Sequence, residues 1–148
     1  VSERALREIY LKGFEIAVRS SQPMSIMSSY NLINGVHAAN NVDTLTKAAR
    51  DEWGFEGMVM TDWTTTAPHG GSTPEGCIKA GNDLIMPGLA CDFTGLRAAL
   101  ESGELTEEEL RICAARVLRL MILTNRNGNT VPYEEHVSTI PGVVSRVL

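Results

Sequence analysis

An α/β fold built on a parallel sheet is what this sequence predicts, and three observations predict it. Short apolar segments alternate with longer stretches of helical spacing, in the order helix, strand, helix, strand, helix, strand, helix, helix. The strand segments read as continuous apolar runs, the pattern of strands covered on both faces. No two strand segments are joined by a tight hairpin, and parallel strands need crossover connections of helical length. Three strands leave a sheet with two open edges. The missing strands are therefore expected elsewhere in a parent protein. A chain of this kind on its own is expected to associate with itself or with a complementary fragment.

The first element runs from Ser2 to about Ser20, with Leu6, Ile9, Tyr10, Phe14 and Ala17 spaced to form one buried face and Ser2 as N-cap. Gln22-Pro23 stops it, and Met24 to Ser28 reads as a buried strand. That strand leads into Ser29-Tyr30-Asn31 and a turn at Asn34-Gly35. A second helix spans about Asp43 to Trp53, with Leu45, Ala48, Ala49 and Trp53 inward and Gly54 at its end. Gly57 to Thr61 is the second buried strand. A Thr-, Gly- and Pro-rich loop, Thr64 to Ser72, separates it from a helix that starts at Thr73-Pro74 and stops at Gly81. Asp83 to Met86 is the third strand, closed by Pro87-Gly88. Two helices follow, Phe93 to Ser102 and Thr106 to Leu123, the second opened by the capping box Thr106-x-x-Glu109. Residues 124–148 have no clear periodicity and read as a linker or a tail.

The chain has 148 residues, 43% hydrophobic and 21% charged, which suits a globular domain with a sizeable core. Its net charge of −5 repels phosphate backbones and anionic lipid, and no run of Lys and Arg offsets it, so neither nucleic acid nor a membrane surface is expected as a partner. No apolar run reaches the roughly 18 to 20 residues that cross a bilayer. The chain opens without a basic-then-apolar leader, and Val1 reads as an interior point of a longer polypeptide. Cys77, Cys91 and Cys113 are odd in number and in no metal-ligand spacing. They read as buried or half-buried free thiols, which leans the compartment towards the reducing cytoplasm.

In parallel α/β folds, functional groups gather at the carboxyl ends of the strands. Those ends carry Tyr30 and Asn31, then Asp62 and Trp63, then Met86 to Gly88. Asp62 follows a buried apolar strand and precedes an aromatic ring, conditions that suit a carboxylate nucleophile facing a sugar. The local pattern equally allows Asp62 to cap its loop, and Tyr30 and Trp63 to be packing residues. Asp83 begins its strand and so belongs to the opposite, stabilising side. Asp51-Glu52 read as surface charge, and Glu104, Glu107, Glu108 and Glu109 as charge favoured at a helix start. His37 and His69 lie in loops without a partner at catalytic spacing, and His136 lies in the tail.

Five segments in register resemble the family 3 glycoside hydrolases, the β-glucosidase and β-xylosidase group. They are Leu6 to Phe14; Ile26-Met-Ser-Ser-Tyr30-Asn31 with Asn34-Gly35; Leu45 to Gly57; Val59-Met-Thr-Asp62-Trp63; and Ala80-Gly-Asn-Asp83-Leu-Ile-Met-Pro-Gly88. In the fourth, Thr61 stands where the family commonly has Ser. The resemblance covers about residues 3 to 123. It implies about the last three strand-helix units of a (β/α)8 barrel, placing 1–123 in the barrel domain and 124–148 outside it.

The resemblance makes Asp62 the nucleophile, Tyr30 the hydroxyl beside it and Trp63 a wall of the sugar pocket. Trp63, where the family's N-acetylglucosaminidases carry an acid, favours the β-glucosidase-like branch. The implied reaction is retaining hydrolysis of terminal non-reducing β-D-glucosyl units, with no cofactor and no metal. β-Xylosidase or mixed specificity is the alternative, and a catalytically incomplete carbohydrate-binding or assembly fragment is a third. The implied partners are the sugar substrate, the rest of the barrel and a sandwich domain carrying the acid/base Glu. No position here matches that Glu, nor the Arg and Lys-His groups of earlier strands, so the chain alone is expected to lack turnover.

Overall fold

The computed structural model describes residues 1–126. Of the tail expected at 124–148, residues 124–126 belong to the last helix, and 127–148, including His136, lie outside the described residues. The first helical segment, α1, joins a turn at Glu3–Ala5, a π-helical turn at Leu6–Tyr10 and an α-helix at Lys12–Ser21. Strand β1 (Ser25–Met27) follows, then the β2–β3 hairpin (Leu32–Ile33 and Val36–His37). Next come helix α2 (Asp43–Glu52, π-helical), strand β4 (Met58–Met60), and helices α3 (Pro74–Ala80), α4 (Ala90–Ser102) and α5 (Glu107–Arg126).

Strands β1 and β4 pair in parallel, with Ser25 opposite Met58, Ile26 opposite Val59 and Met27 opposite Met60. The predicted third strand reduces to one parallel bridge, Met60 with Leu84. Its first rungs are present: Leu84 N–H donates to the Val59 carbonyl at 3.2 Å, and Thr61 N–H to the Leu84 carbonyl at 2.9 Å. The next donor, Met86 N–H, goes instead to the Thr61 hydroxyl at 2.9 Å, and the backbone ladder stops there. The sheet order is thus β1, β4 and the Leu84 segment, the parallel arrangement the alternation predicts.

Helix boundaries follow their caps. Ser2 Oγ accepts from Ala5 N–H at 3.2 Å, as its N-cap position requires. Helix α4 starts at Ala90, three residues before the predicted Phe93, because the Asp92 carboxylate accepts from Leu89 N–H at 2.6 Å and satisfies the start of the helix. The capping box of α5 forms in both directions, Glu109 N–H to Thr106 Oγ1 at 3.2 Å and Thr106 N–H to Glu109 Oε2 at 2.8 Å. Helix α5 then runs on to Arg126, past the predicted end near Leu123. Gly81 closes α3 at φ +102°, and a Cβ there would lie 2.7 Å from the Thr46 hydroxyl.

The face predicted for α1 is not the one that is buried. Ile9, Tyr10 and Phe14 are exposed, whereas Val18 is fully buried and Leu11 packs beside it. The side of the helix that carries Leu11 and Val18 meets the core, and the side that carries Ile9, Tyr10 and Phe14 is left uncovered. Helix α2 agrees with its pattern: Leu45, Ala48, Ala49 and Trp53 all enter the core with Val18, Phe55, Val59 and Ala80. A second cluster, Ile78, Ala99, Leu105 and Cys113, joins α3, α4 and α5. Among the described residues, no helix is long and apolar enough to cross a membrane.

At the amino end of β4 lies a buried ion cluster. The Asp83 side chain is 0% exposed, with Oδ2 2.7 Å from Arg50 and Oδ1 3.1 Å from Arg116. Asp83 Oδ2 also accepts Val59 N–H at 2.9 Å. Arg50 donates further to the carbonyls of Gly57 at 3.0 Å and Gly81 at 3.1 Å, and its guanidinium lies 5.4 Å from the Phe55 ring centre. Removing only the anion would leave the buried Arg50 guanidinium and the half-buried Arg116 guanidinium without their shared counter-charge. Asp83→Ala is therefore expected to cost about 3–5 kcal/mol in denaturant unfolding, far more than a surface Asp→Ala such as Asp51.

The thiols differ from the sequence expectation at one position, since Cys91 is exposed while Cys77 and Cys113 are buried. Exposure follows from the early start of α4, which turns Cys91 outward in its first turn. Burial first, then the Asp83 carboxylate, pushes the Cys113 thiol up to about 11. Burial first, then Asp92, pushes Cys77 up to about 12. A thiol whose pKa is raised by folding stabilises the fold below its ordinary value, and that contribution is lost as pH rises through the folded value. Stability is expected to decline from about pH 9 towards about pH 11 as Cys113 is forced to ionise. Unfolding midpoints across that range, compared with Cys113→Ala, check this. At neutral pH an alkylating reagent is expected to modify Cys91 before the two buried thiols.

Candidate active site

The carboxyl ends of β1 and β4 bring Tyr30, Asp62 and Trp63 together. β4 is the rigid mount: Met58 and Val59 are buried, Thr61 is 0% exposed, and the chain emerges at Asp62, which is partly buried. One oxygen of Asp62 accepts the Trp63 backbone N–H at 2.7 Å. The indole of Trp63 stands 57% exposed over the open end, while Trp53 is buried in the core.

Tyr30 crosses from the neighbouring strand end. Its hydroxyl donates to the Trp63 carbonyl, an oxygen that also accepts the Thr64 hydroxyl at 2.6 Å. Desolvation, then hydrogen bonding to Asp62 and its charge, pushes the Tyr30 phenol above its ordinary pKa. The phenol therefore stays protonated beside the carboxylate, with its one proton given to the Trp63 carbonyl. His37, expected in a loop, ends β3 and holds the Tyr30 carbonyl through Nδ1 at 3.2 Å. Its ring fills the space over Gly71, whose φ is +82° and where a Cβ would collide with the imidazole. His37 thus joins the Tyr30 turn to the loop that follows Asp62.

Other candidates stand apart from this site. His69 is exposed in its loop, Asp51 and Glu52 lie on the surface of α2 with Glu52 bound to Arg7 at 2.5 Å, and Asp83 sits at the opposite end of the strand. No group of three or more His, Cys, Asp or Glu side chains that could hold a metal occurs among the described residues.

Residue-type reasoning missed Asn82, which is 0% exposed. Its side chain accepts the Ser28 hydroxyl at 2.8 Å and donates to the carbonyls of Ala39 at 2.6 Å and Cys77 at 2.9 Å. It fastens the end of β1 to α3 and to the turn after the hairpin. The available signal was an amide placed between a helix-ending Gly and a strand, where an apolar residue would ordinarily begin the buried run. Thr61 and Thr64 were missed for a different reason, since hydroxyls at strand ends give no periodic pattern.

A carboxylate mounted on a parallel strand, a phenol from the next strand end and an exposed indole meet at the carboxyl end of the sheet, where functional groups gather in parallel α/β folds. The chain belongs to glycosyl hydrolase family 3, matching the model of its N-terminal domain over residues 1–120. It is similar to β-glucosidase B of Emericella nidulans, 41% identical over 141 residues that make up 93% of this chain and 16% of that protein. An exo-α-(1→6)-L-arabinopyranosidase of Bifidobacterium breve is 44% identical over 121 residues, 82% of this chain and 15% of that protein. Among solved structures, β-glucosidase 3B of Thermotoga neapolitana, in complex with glycerol, is 48% identical with a TM-score of 0.76 over 82% of this chain and 18% of that one. The α/β segment is accordingly part of a (β/α)8 barrel. The chain spans about a sixth of the length of these relatives.

The two indoles give a direct check on this geometry. With Trp53 replaced by Phe, emission from Trp63 is expected to be red-shifted and readily quenched by acrylamide. With Trp63 replaced by Phe, the remaining Trp53 signal is expected to be blue-shifted and protected, as its burial requires.

Proposed function

We propose that this chain supplies the nucleophile half of a retaining β-glucosidase, with Asp62 attacking the anomeric carbon of a terminal non-reducing β-D-glucosyl unit. The observation that carries the proposal is the placing of Asp62 at the carboxyl end of β4, beside the protonated Tyr30 phenol, in a segment belonging to family 3. The carboxylate forms the bond to the anomeric carbon as the bond to the leaving oxygen breaks. An acid from outside this chain protonates that oxygen. Water, deprotonated by the same group, then opens the glycosyl-enzyme and releases sugar with retained configuration.

Tyr30 steadies Asp62 through both steps: its phenol stands beside the carboxylate, and by donating its proton to the Trp63 carbonyl it fixes the next peptide. Trp63 offers an apolar face to the sugar ring. No cofactor or metal enters this scheme, which runs on carboxylates and hydrogen-bond donors. The acid/base Glu and the remaining barrel strands are proposed to come from the rest of a longer polypeptide, so the chain alone has no appreciable turnover. Residues 1–123 belong in this proposal to the barrel domain, and 124–148 lead out of it.

A mixed specificity that includes pentopyranosides is the second proposal, supported by the relative named as an L-arabinopyranosidase. Matched aryl β-glucosides and β-xylosides separate the two by their kcat/KM ratio.

In the complete polypeptide, Asp62→Asn is expected to lower kcat/KM by on the order of a thousandfold or more while leaving the circular dichroism spectrum unchanged. A 2-deoxy-2-fluoro β-glucoside is expected to label Asp62 covalently. Labelling at any other carboxylate sinks the assignment, and full turnover by the isolated chain sinks the division of labour.

A further inference from the structure

Asp62 and Trp63 are flanked by two threonines that hold the two backbone polar groups of a single residue, Met86, on the neighbouring segment. Before the site, the Thr61 hydroxyl accepts Met86 N–H at 2.9 Å, while Thr61 N–H donates to the Leu84 carbonyl at 2.9 Å. After the site, Thr64 N–H donates to the Met86 carbonyl at 2.9 Å. Both backbone groups of Met86 are therefore spent on the residues that bracket Asp62-Trp63. The Met86 N–H would ordinarily continue the sheet ladder, and here it is diverted to a side chain. Thr64 reaches its bond only by taking φ +61°, a left-handed conformation that a β-branched residue adopts at a cost. Within the bracket the peptide is held again, because the Trp63 carbonyl accepts two hydroxyls and the Trp63 N–H is tied to Asp62 itself.

We propose that the buried Thr61 hydroxyl is a positioning residue for the glycosylation step: by anchoring Met86 it closes the clamp that sets the angle at which Asp62 meets the anomeric carbon. The inference rests on Asp62 being the nucleophile. Thr61 points into the protein, fully buried, and cannot touch substrate. It acts through the backbone of Asp62, and nucleophilic attack is sensitive to that geometry, since a displacement of about 1 Å can cost about a hundredfold in rate. The hydroxyl is the acting group, not the volume of the side chain. Valine has the same shape and leaves Met86 N–H without an acceptor; serine keeps the oxygen.

The test uses Thr61→Val and Thr61→Ser in the complete polypeptide, with competent sites counted by full reaction with a 2-deoxy-2-fluoro β-glucoside. Counting sites removes any loss due to misfolding. Per titrated site, Thr61→Val is expected to lose about tenfold to a hundredfold in kcat/KM, with the inhibition constant of a neutral glucose-like competitive inhibitor unchanged within about threefold. Thr61→Ser is expected to restore most of the rate. Undiminished per-site turnover in Thr61→Val, or a Thr61→Ser variant as slow as Thr61→Val, overturns the inference while the label on Asp62 leaves the functional proposal standing. A label on another carboxylate in the unsubstituted enzyme overturns both.

Discussion

Burying the Asp83 carboxylate between two arginines is the constraint on which the rest of this structure turns. A lone ionised carboxylate cannot be taken out of water at this depth, so Arg50 from α2 and Arg116 from α5 must both reach it. Meeting that demand fixes where two helices lie on the sheet. It also fixes the register of the Leu84 segment against β4, because the same carboxylate accepts Val59 N–H. Arg50 extends the effect by holding the carbonyls of Gly57 and Gly81, the residues that enter β4 and leave α3. One anion thus sets the starting point of the strand whose other end carries Asp62. Hydrophobic burial of Val18, Leu45, Trp53 and Phe55 supplies most of the driving force but would tolerate a slipped strand; the charge cluster does not.

Much of this architecture was legible in the sequence because its signals are local. The capping box at Thr106, the Pro74 start and Gly81 stop of α3, and the inward face of α2 each depend on residues within a few positions of one another. The face of α1 was not legible, since apolar residues lie on both sides of it and periodicity does not say which side meets the core of this segment. The early start of α4 was hidden for a related reason: Asp92 reads as a polar interruption until its carboxylate is seen to cap Leu89 N–H. The third strand was legible as a segment but not as a ladder, because its pairing ends where the Thr61 side chain takes the next donor.

The site divides in the same way. The positions of Tyr30, Asp62 and Trp63 at strand ends follow from alternation alone, but alternation gives them no role. A role came from five segments in register with a known family, that is, from their joint spacing. The residues that position them were invisible to both arguments. Asn82, His37 and Thr64 act through contacts with residues 7 to 54 positions away in the chain or through an unusual backbone angle. Such roles emerge only when the turns they fasten are seen side by side.

The two aspartates on this strand pair show how the fold separates stability from reactivity. At the amino end, Asp83 has two guanidinium groups and a backbone amide on its oxygens, and its charge is spent on holding the structure. At the carboxyl end, Asp62 meets one backbone amide and a phenol that keeps its proton, with no cation paired to it among the described residues. A carboxylate tied to arginine would hold its electrons too firmly to attack carbon. One hydrogen-bonded only by neutral donors is oriented without being neutralised. Exposed apolar side chains on α1, α4 and α5, including Ile9, Phe14, Phe93 and Leu118, and the 57% exposed Trp63 leave apolar surface of this segment uncovered. In the proposed role of Asp62 as nucleophile, its reactivity depends on what covers this open end: once water is excluded there, the same neutral surroundings act in a lower dielectric, and the carboxylate's charge would be directed at the substrate instead of the solvent.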